Sequence, residues 1–313
     1  IVFLGNAGSK LISILMLPFY TSYLSASEFG VSDIISTYSS ILLAIVTCSL
    51  AEGILLFSKN ADNEGRQRYF TSGLCYVVLL FIAFAFFCSV IAYCVPNNSW
   101  LGTFGENIWW IYFMTLSMFL QTYVQQFSLS LNKIVIYSLS GVVLTTSLAI
   151  LGITFVPKYG LKGYLFSLIL SNFLTALFNL IASKSYLYFN ISKYDRIHLR
   201  ELLKYSIPLI PNSMMWFLLN GINRPIMEST IGLESIGIYA VANRFPGVIA
   251  TLCAVFSSAW GVSMLEEFNS PDFNSFFNKT MRLLFFVMIV GGCFLTFFSK
   301  TIVGIFSTQE YFE

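Results

Sequence analysis

The chain has 313 residues, of which 57% are hydrophobic and only 10% charged, with a mean hydropathy of +0.76. A water-soluble domain carries about 25% charge, so this composition excludes an ordinary soluble fold and implies a surface that meets lipid. The net charge of +2 is too small to argue for a nucleic-acid partner.

Charge-free apolar runs place nine helical spans, at 11–27, 34–51, 69–105, 107–132, 134–157, 163–183, 205–223, 245–265 and 283–299. Each reaches or approaches the roughly 20 residues that a bilayer requires. The two-residue alternation of a membrane barrel is absent. The expected fold class is all-α: a polytopic membrane protein. The first run holds Lys10, Pro18 and Tyr20 without a cleavage pattern, and reads as a retained span instead of a signal peptide. The chain starts at Ile1 and stops at Glu313, which reads as a piece of a longer protein. Six cysteines (Cys48, Cys75, Cys88, Cys94, Cys253 and Cys293) lie in apolar stretches without metal-ligand spacing. They read as packing thiols, and no metal or cofactor is expected.

Loop charge gives an orientation. With a cytoplasmic N-terminus, the inner loops hold 11 of the 17 basic residues and the outer loops only Lys158, Lys162 and Lys300. Trp100, Trp109 and Trp110 then flank the outer interface as an aromatic belt. The longest hydrophilic connection, 184–204, is basic and contains the sole histidine, His198. It reads either as a contact for anionic lipid or as a plain positive-inside linker.

An internal repeat suggests two lobes. Pro18 precedes Gly30 by twelve residues, and Pro225 precedes Gly237 by the same interval, an offset of 207 between the copies. The copies fall at the first and seventh spans, as a design of two pseudo-repeated six-helix lobes requires. The expected domains are a six-helix lobe at 1–183, a basic linker at 184–204, and the first three helices of a second lobe at 205–313. About 100 further residues would complete that lobe. Prolines concentrate in corresponding elements, at Pro18, Pro208, Pro211, Pro225 and Pro246. Interrupted helices in matching places of two halves mark transport pathways, although ordinary bent membrane helices give the same pattern.

Ionisable groups at membrane depth are the strongest functional signal, because a charge in hydrocarbon costs at least about 3 kcal/mol. Lys10, Arg224 and Arg244 are the candidate cavity cations, with Glu52 as a charge partner. Cations around a hollow attract an anionic head group such as a pyrophosphate, and arginine offers it a forked contact. Arg224 also reads as a group snorkelling to the outer interface. Gln121, Gln125, Asn212 and Asn220 are candidate contacts for sugar hydroxyls; bonding between helices is the plain alternative. The P-loop, HExxH and GxSxG patterns are missing. With Glu52 as the clear in-span carboxylate, acid–base chemistry finds no pair, and an enzyme is not expected.

The segment LLKYSIPLIPNSMMWFLLNGINRPIMESTIGLESIGIYAVANRFPGVIATLCAVFSSAW, 202–260, resembles the seventh and eighth helices of oligosaccharide flippases. These are the polysaccharide-biosynthesis transporters of the multidrug/oligosaccharidyl-lipid/polysaccharide exporter superfamily. The opening GNAGSKLISILMLPFYTSYLSASEFGVSDI is similar to that family's first helix. The resemblance implies two six-helix lobes around a cationic cavity. It implies alternating-access flipping of undecaprenyl-pyrophosphate-linked O-antigen or capsule units from the cytoplasmic to the periplasmic leaflet of a bacterial inner membrane. The partners implied are that lipid-linked oligosaccharide, membrane lipids, and a polysaccharide polymerase with chain-length machinery.

Departures from the family pattern stand at three places. Asn223–Arg224 replaces a frequent Asp–Arg pair, Arg244 replaces a frequent lysine, and Leu55-Leu56-Phe57 lacks a frequent arginine for which Lys59 would have to substitute. A lipid II flippase, a cation-coupled drug exporter of the same superfamily and a membrane polysaccharide polymerase are the competing readings.

Overall fold

A computed structural model describes residues 9, 12–94, 102–247, 249, 250, 253, 256, 260, 273–308 and 311. The described residues are helical with no strand, and the chain is a multi-pass membrane protein. Among the described residues four helices are each long and apolar enough to cross a bilayer: Ala26–Val46, Asn63–Ile91, Ile134–Ala182 and Phe273–Phe306.

Helix α1 (Leu17–Tyr23) carries Pro18 in its first turn, where the missing N–H has no intrahelical partner to lose. Helix α2 (Ala26–Val46) starts at a capping box. The Ser25 hydroxyl accepts from the Glu28 N–H at 3.3 Å, and the Glu28 carboxylate accepts from the Ser25 N–H at 3.0 Å. The second span is thus longer than its charge-free run and includes Asp33. It breaks where Cys48 and Ser49 take left-handed φ of 50° and 51°, uncommon for residues with a Cβ, and resumes as α3 (Leu50–Asn60).

Helix α4 (Asn63–Cys94) begins before the expected boundary at 69 and ends before 105; a short α5 (Gly102–Glu106) follows. Then come α6 (Ile108–Ser130) and α7 (Ile134–Ala182). The 49 residues of α7 hold both the fifth and sixth expected spans, divided at Gly160 by φ 53° and ψ −130°, a backbone state open to glycine.

The expected seventh span is broken into pieces. Helix α8 (Arg196–Ser206) is followed by a 3-10 turn at Ile207–Leu209, α9 (Ile210–Asn220) and α10 (Asn223–Thr230). Pro208 and Pro211 sit in first turns, and Pro225 opens α10, so each proline marks a start instead of a kink within a helix. Gly232, at φ 87°, turns the chain into α11 (Leu233–Ala242). Most of the eighth expected span, 245–265, lies outside the described residues, and α12 (Phe273–Phe306) contains the ninth.

Among the described residues three apolar cores hold these helices, the smallest being Ile35, Ile111 and Leu165. Leu50, Ile54, Phe70, Phe119, Tyr123 and Phe127 join α3, α4 and α6, with Leu202 of α8 inserted among them. Leu17, Tyr20, Phe29, Tyr164, Ala240 and Val241 join α1, α2 and α7 to α11. Helices α2 and α11 cross in close contact. A Cβ on Gly30 would strike the Leu233 carbonyl, and one on Gly237 would strike the Ala26 carbonyl. Small residues allow such close approach between membrane helices. Away from these contacts, Phe86, Phe285 and Phe297 stand exposed, as lipid-facing side chains would.

Candidate functional site

Arg224 is the buried charge of the interface, with 8% of its surface exposed. Its Nε donates to Asp33 Oδ2 of α2 at 3.1 Å. One terminal nitrogen donates to the Asn223 side-chain oxygen at 2.9 Å and to the Asn220 carbonyl. The guanidinium carbon lies 4.9 Å from the Tyr239 ring centroid, and Asn223 donates its other amide atom to the Tyr239 hydroxyl at 2.8 Å. Asp33, an amide, a carbonyl and an aromatic face thus satisfy Arg224 inside the protein. One turn further on, Glu228 accepts from the Tyr38 hydroxyl at 3.3 Å and from the Thr103 N–H at 2.8 Å. α10 is therefore stitched to α2 and α5 by two polar anchors.

Next to Arg224 a cavity of about 440 Å³ opens between α2 and α9. Thr37 and Ser40 line one wall; Ser213, Trp216, Phe217 and Asn220 line the other. On α9 and α10 the residues Ser213, Phe217, Asn220 and Arg224 follow the helical repeat of one face. The cavity so combines hydroxyls, an amide, aromatic surface and a guanidinium.

Arg244 stands elsewhere. It follows α11 and points into a small cavity of about 20 Å³ with Tyr20, Phe29, Thr145 and Tyr164. Its guanidinium carbon is 5.9 Å from the Phe29 ring centroid. Among the described residues, then, Arg224 and Arg244 line separate cavities, not the single hollow expected from sequence. Lys10 lies outside the described residues.

The other candidates fall apart from the two arginines. Glu52 is exposed in the first turn of α3 and makes no ion pair with the described cations; the carboxylate that meets a guanidinium is Asp33. Gln121 donates to Gln125 at 2.5 Å, and Gln125 donates to the Ser140 hydroxyl at 2.6 Å and the Tyr137 carbonyl at 3.3 Å. Gln125 thus ties α6 to α7, while Gln121 bonds within α6, to Gln125 and Thr122. Asn212 is exposed on α9, whereas Asn220 lines the larger cavity.

Asp33, Glu228 and Tyr239 are the site residues that sequence reasoning passed over. A charge-free-run criterion ends a span at any charge, which leaves Asp33 just outside. The Ser25–Glu28 capping pattern carried the signal for an earlier start. Among the described residues no group of His, Cys, Asp or Glu is arranged to hold a metal.

Comparison with known proteins locates this arrangement. The polysaccharide biosynthesis protein family matches residues 22–313. A search of curated proteins finds no match. Among solved structures, the fold resembles an inward-facing multidrug resistance MATE family transporter of the MOP superfamily. That likeness has a TM-score of 0.65 at 15% identity, over 99% of this chain and 74% of the other. A MATE protein solved in complex with MaL6 gives 0.53 at 14% identity, over 99% and 73%. A MOP superfamily transporter from Pyrococcus furiosus, described as having a binding pocket of reverse polarity, gives 0.52 at 14% identity over the same shares. With almost its whole length matched, the chain belongs to the polysaccharide biosynthesis protein family and has the fold of the MATE transporters of the MOP superfamily.

Proposed function

We propose that this protein flips a polyprenyl-pyrophosphate-linked oligosaccharide, an O-antigen or capsule repeat unit, from the cytoplasmic to the periplasmic leaflet of a bacterial inner membrane. Its N-terminus is cytoplasmic in this reading, and it acts by alternating access. The observation that carries the reading is Arg224: a buried guanidinium resting on a carboxylate of α2, at the rim of a cavity lined by both polar and apolar side chains. Membership of a polysaccharide-biosynthesis family supports the substrate class.

The chemistry follows from competition. A diphosphate entering the cavity offers the guanidinium two charge-assisted bonds, where Asp33 now receives one. Moving Arg224 from Asp33 to the substrate removes an anchor between α10 and α2, so binding the head group weakens one closed interface. Sugar units then lie against Trp216 and the hydroxyl and amide wall. Arg244, exposed beside the Phe29 ring, adds a second positive charge to the path. Arg224→Ala and Arg244→Ala should each lower surface polysaccharide in a strain lacking the chromosomal gene, while the protein still inserts and accumulates. Lipid-linked repeat units should build up on the cytoplasmic face. Unchanged polysaccharide with both variants would remove these cations from the mechanism.

Asp33 favours a second reading, cation-coupled drug export, because an in-span carboxylate suits a cation and two of the similar structures are MATE proteins. Gradient-driven efflux of cationic dyes that Asp33→Asn abolishes would support it over flipping.

A further inference from the structure

The connection between α7 and α9 forms a surface of its own, independent of the transport reading. It is not a loose linker. Leu199, Leu202 and Ser206 turn inward on α8, and Leu202 is fully buried in the first core. The Asn190 and Asp195 N–H groups donate to the Thr71 and Ser72 hydroxyls at 3.0 and 2.8 Å. The Tyr69 hydroxyl donates to Glu201 at 2.6 Å. The segment is therefore fixed as a shelf at the end of the bundle where α3 ends and α4 begins.

The outer side of this shelf is apolar and basic together. Leu187, Ile191 and Ile197 are 58%, 70% and 68% exposed, and Tyr186, Phe189 and Tyr194 are about half exposed. Six large apolar side chains so lie uncovered within twelve residues, directly after a helix of membrane-spanning length. The acids here already have partners: Glu64 pairs with Lys193 at 2.6 Å, Asp195 pairs with Arg68 at 3.4 Å and His198 at 2.7 Å, and Glu201 accepts from Tyr69. Arg196, Arg200 and Lys204 are exposed and have no ion pair among the described residues. On the helix, Ile197, Arg200 and Lys204 lie opposite the buried Leu199, Leu202 and Ser206.

Apolar side chains interleaved with unpaired cations, at the level where membrane helices end, match the headgroup region of a negatively charged leaflet. We infer that the face formed by Ile197, Arg200 and Lys204, with Ile191 and Leu187, lies on the bilayer and binds anionic phospholipid headgroups. Both components are needed: the aliphatic groups enter the acyl boundary, and the cations select the headgroup charge.

The test places a coumarin amino acid at Ile197 in the full chain, reconstituted in phosphatidylcholine–phosphatidylglycerol vesicles. Acyl chains brominated near the headgroup are supplied on one lipid or the other at equal mole fraction. Brominated phosphatidylglycerol should quench the probe at least about twofold more than brominated phosphatidylcholine. With Arg196→Gln, Arg200→Gln and Lys204→Gln together, the two lipids should quench equally. Equal quenching in the unsubstituted protein would overturn the selectivity. Absence of quenching by either lipid would overturn the placement and assign the face to water or a protein partner.

Discussion

Gly30 of α2 and Gly237 of α11 pack backbone against backbone, and they are the two glycines related by the 207-residue offset of the internal repeat. Ala26 and Leu233, whose carbonyls close on them, are related by the same offset. The two halves thus present equivalent surfaces to one another, each glycine admitting the other helix's backbone.

Gly30→Leu and Gly237→Leu should therefore be similarly destabilising, because each drives a side chain into a carbonyl that cannot swing aside. Overpacking of this kind costs about 1–3 kcal/mol or more. Thermal unfolding in detergent should show comparable losses for both variants, and the double variant should lose less than their sum. Wild-type stability for either one would contradict the crossing.

The pair Arg224–Asp33 predicts asymmetric costs. Removing one partner of a fully buried pair costs about 3–5 kcal/mol. These side chains are 10% and 21% exposed, so about 2–4 kcal/mol is expected for Arg224→Met or Asp33→Leu alone. The double variant should recover a large share of that loss, since neither charge is then left unpaired. A double-mutant cycle on unfolding temperatures checks the coupling; additive losses would show that the two charges do not meet.

How much of this was legible beforehand depends on what each signal measures. The repeat was readable because Pro18, Gly30, Pro225 and Gly237 are constrained by backbone geometry, which leaves residue types in fixed places. Asp33 was not readable from charge-free runs, because a paired charge sits inside an apolar helix at small cost while an unpaired one does not. The pairing partner is 191 residues away. Gln121 and Gln125 share a helix face as their spacing required, yet spacing says nothing of what that face meets; it meets Ser140. Likewise, the three-residue step from Leu199 to Leu202 behind an N-capping Asp195 marked an amphipathic helix, in a stretch whose charge made it look like a plain connection.

Gln125 and Asn220 should separate structure from recognition. Gln125→Leu removes the bonds tying α6 to α7 and should cost about 1 kcal/mol with polysaccharide export kept. Asn220→Leu alters a cavity wall and should lower export with little change in unfolding temperature. The reverse pattern in a complementation assay would move the recognition surface to α6.

Acid should loosen the linker. The Ile197 N–H, and then His198 and Arg68, hold the Asp195 carboxyl below the usual carboxylate range against the opposing effect of burial. A depressed folded value means that its contribution is complete above the ordinary range near about 4 and is lost as pH falls through the depressed value. Because these bonds lie at the surface, unfolding temperature should fall modestly on acidification below about pH 4 in the unsubstituted protein. It should start slightly lower and fall less in Asp195→Asn. Parallel curves would show that the Asp195 bonds do not form.

The most direct test of the central claim is translocation itself, in vesicles containing only this protein in its full natural length and a fluorescent polyprenyl-pyrophosphate oligosaccharide. Probe accessibility to an impermeant reductant should rise with protein present, and Arg224→Ala should return it to the rate of empty vesicles. No translocation above empty vesicles, alongside gradient-driven export of a cationic dye, would contradict the account.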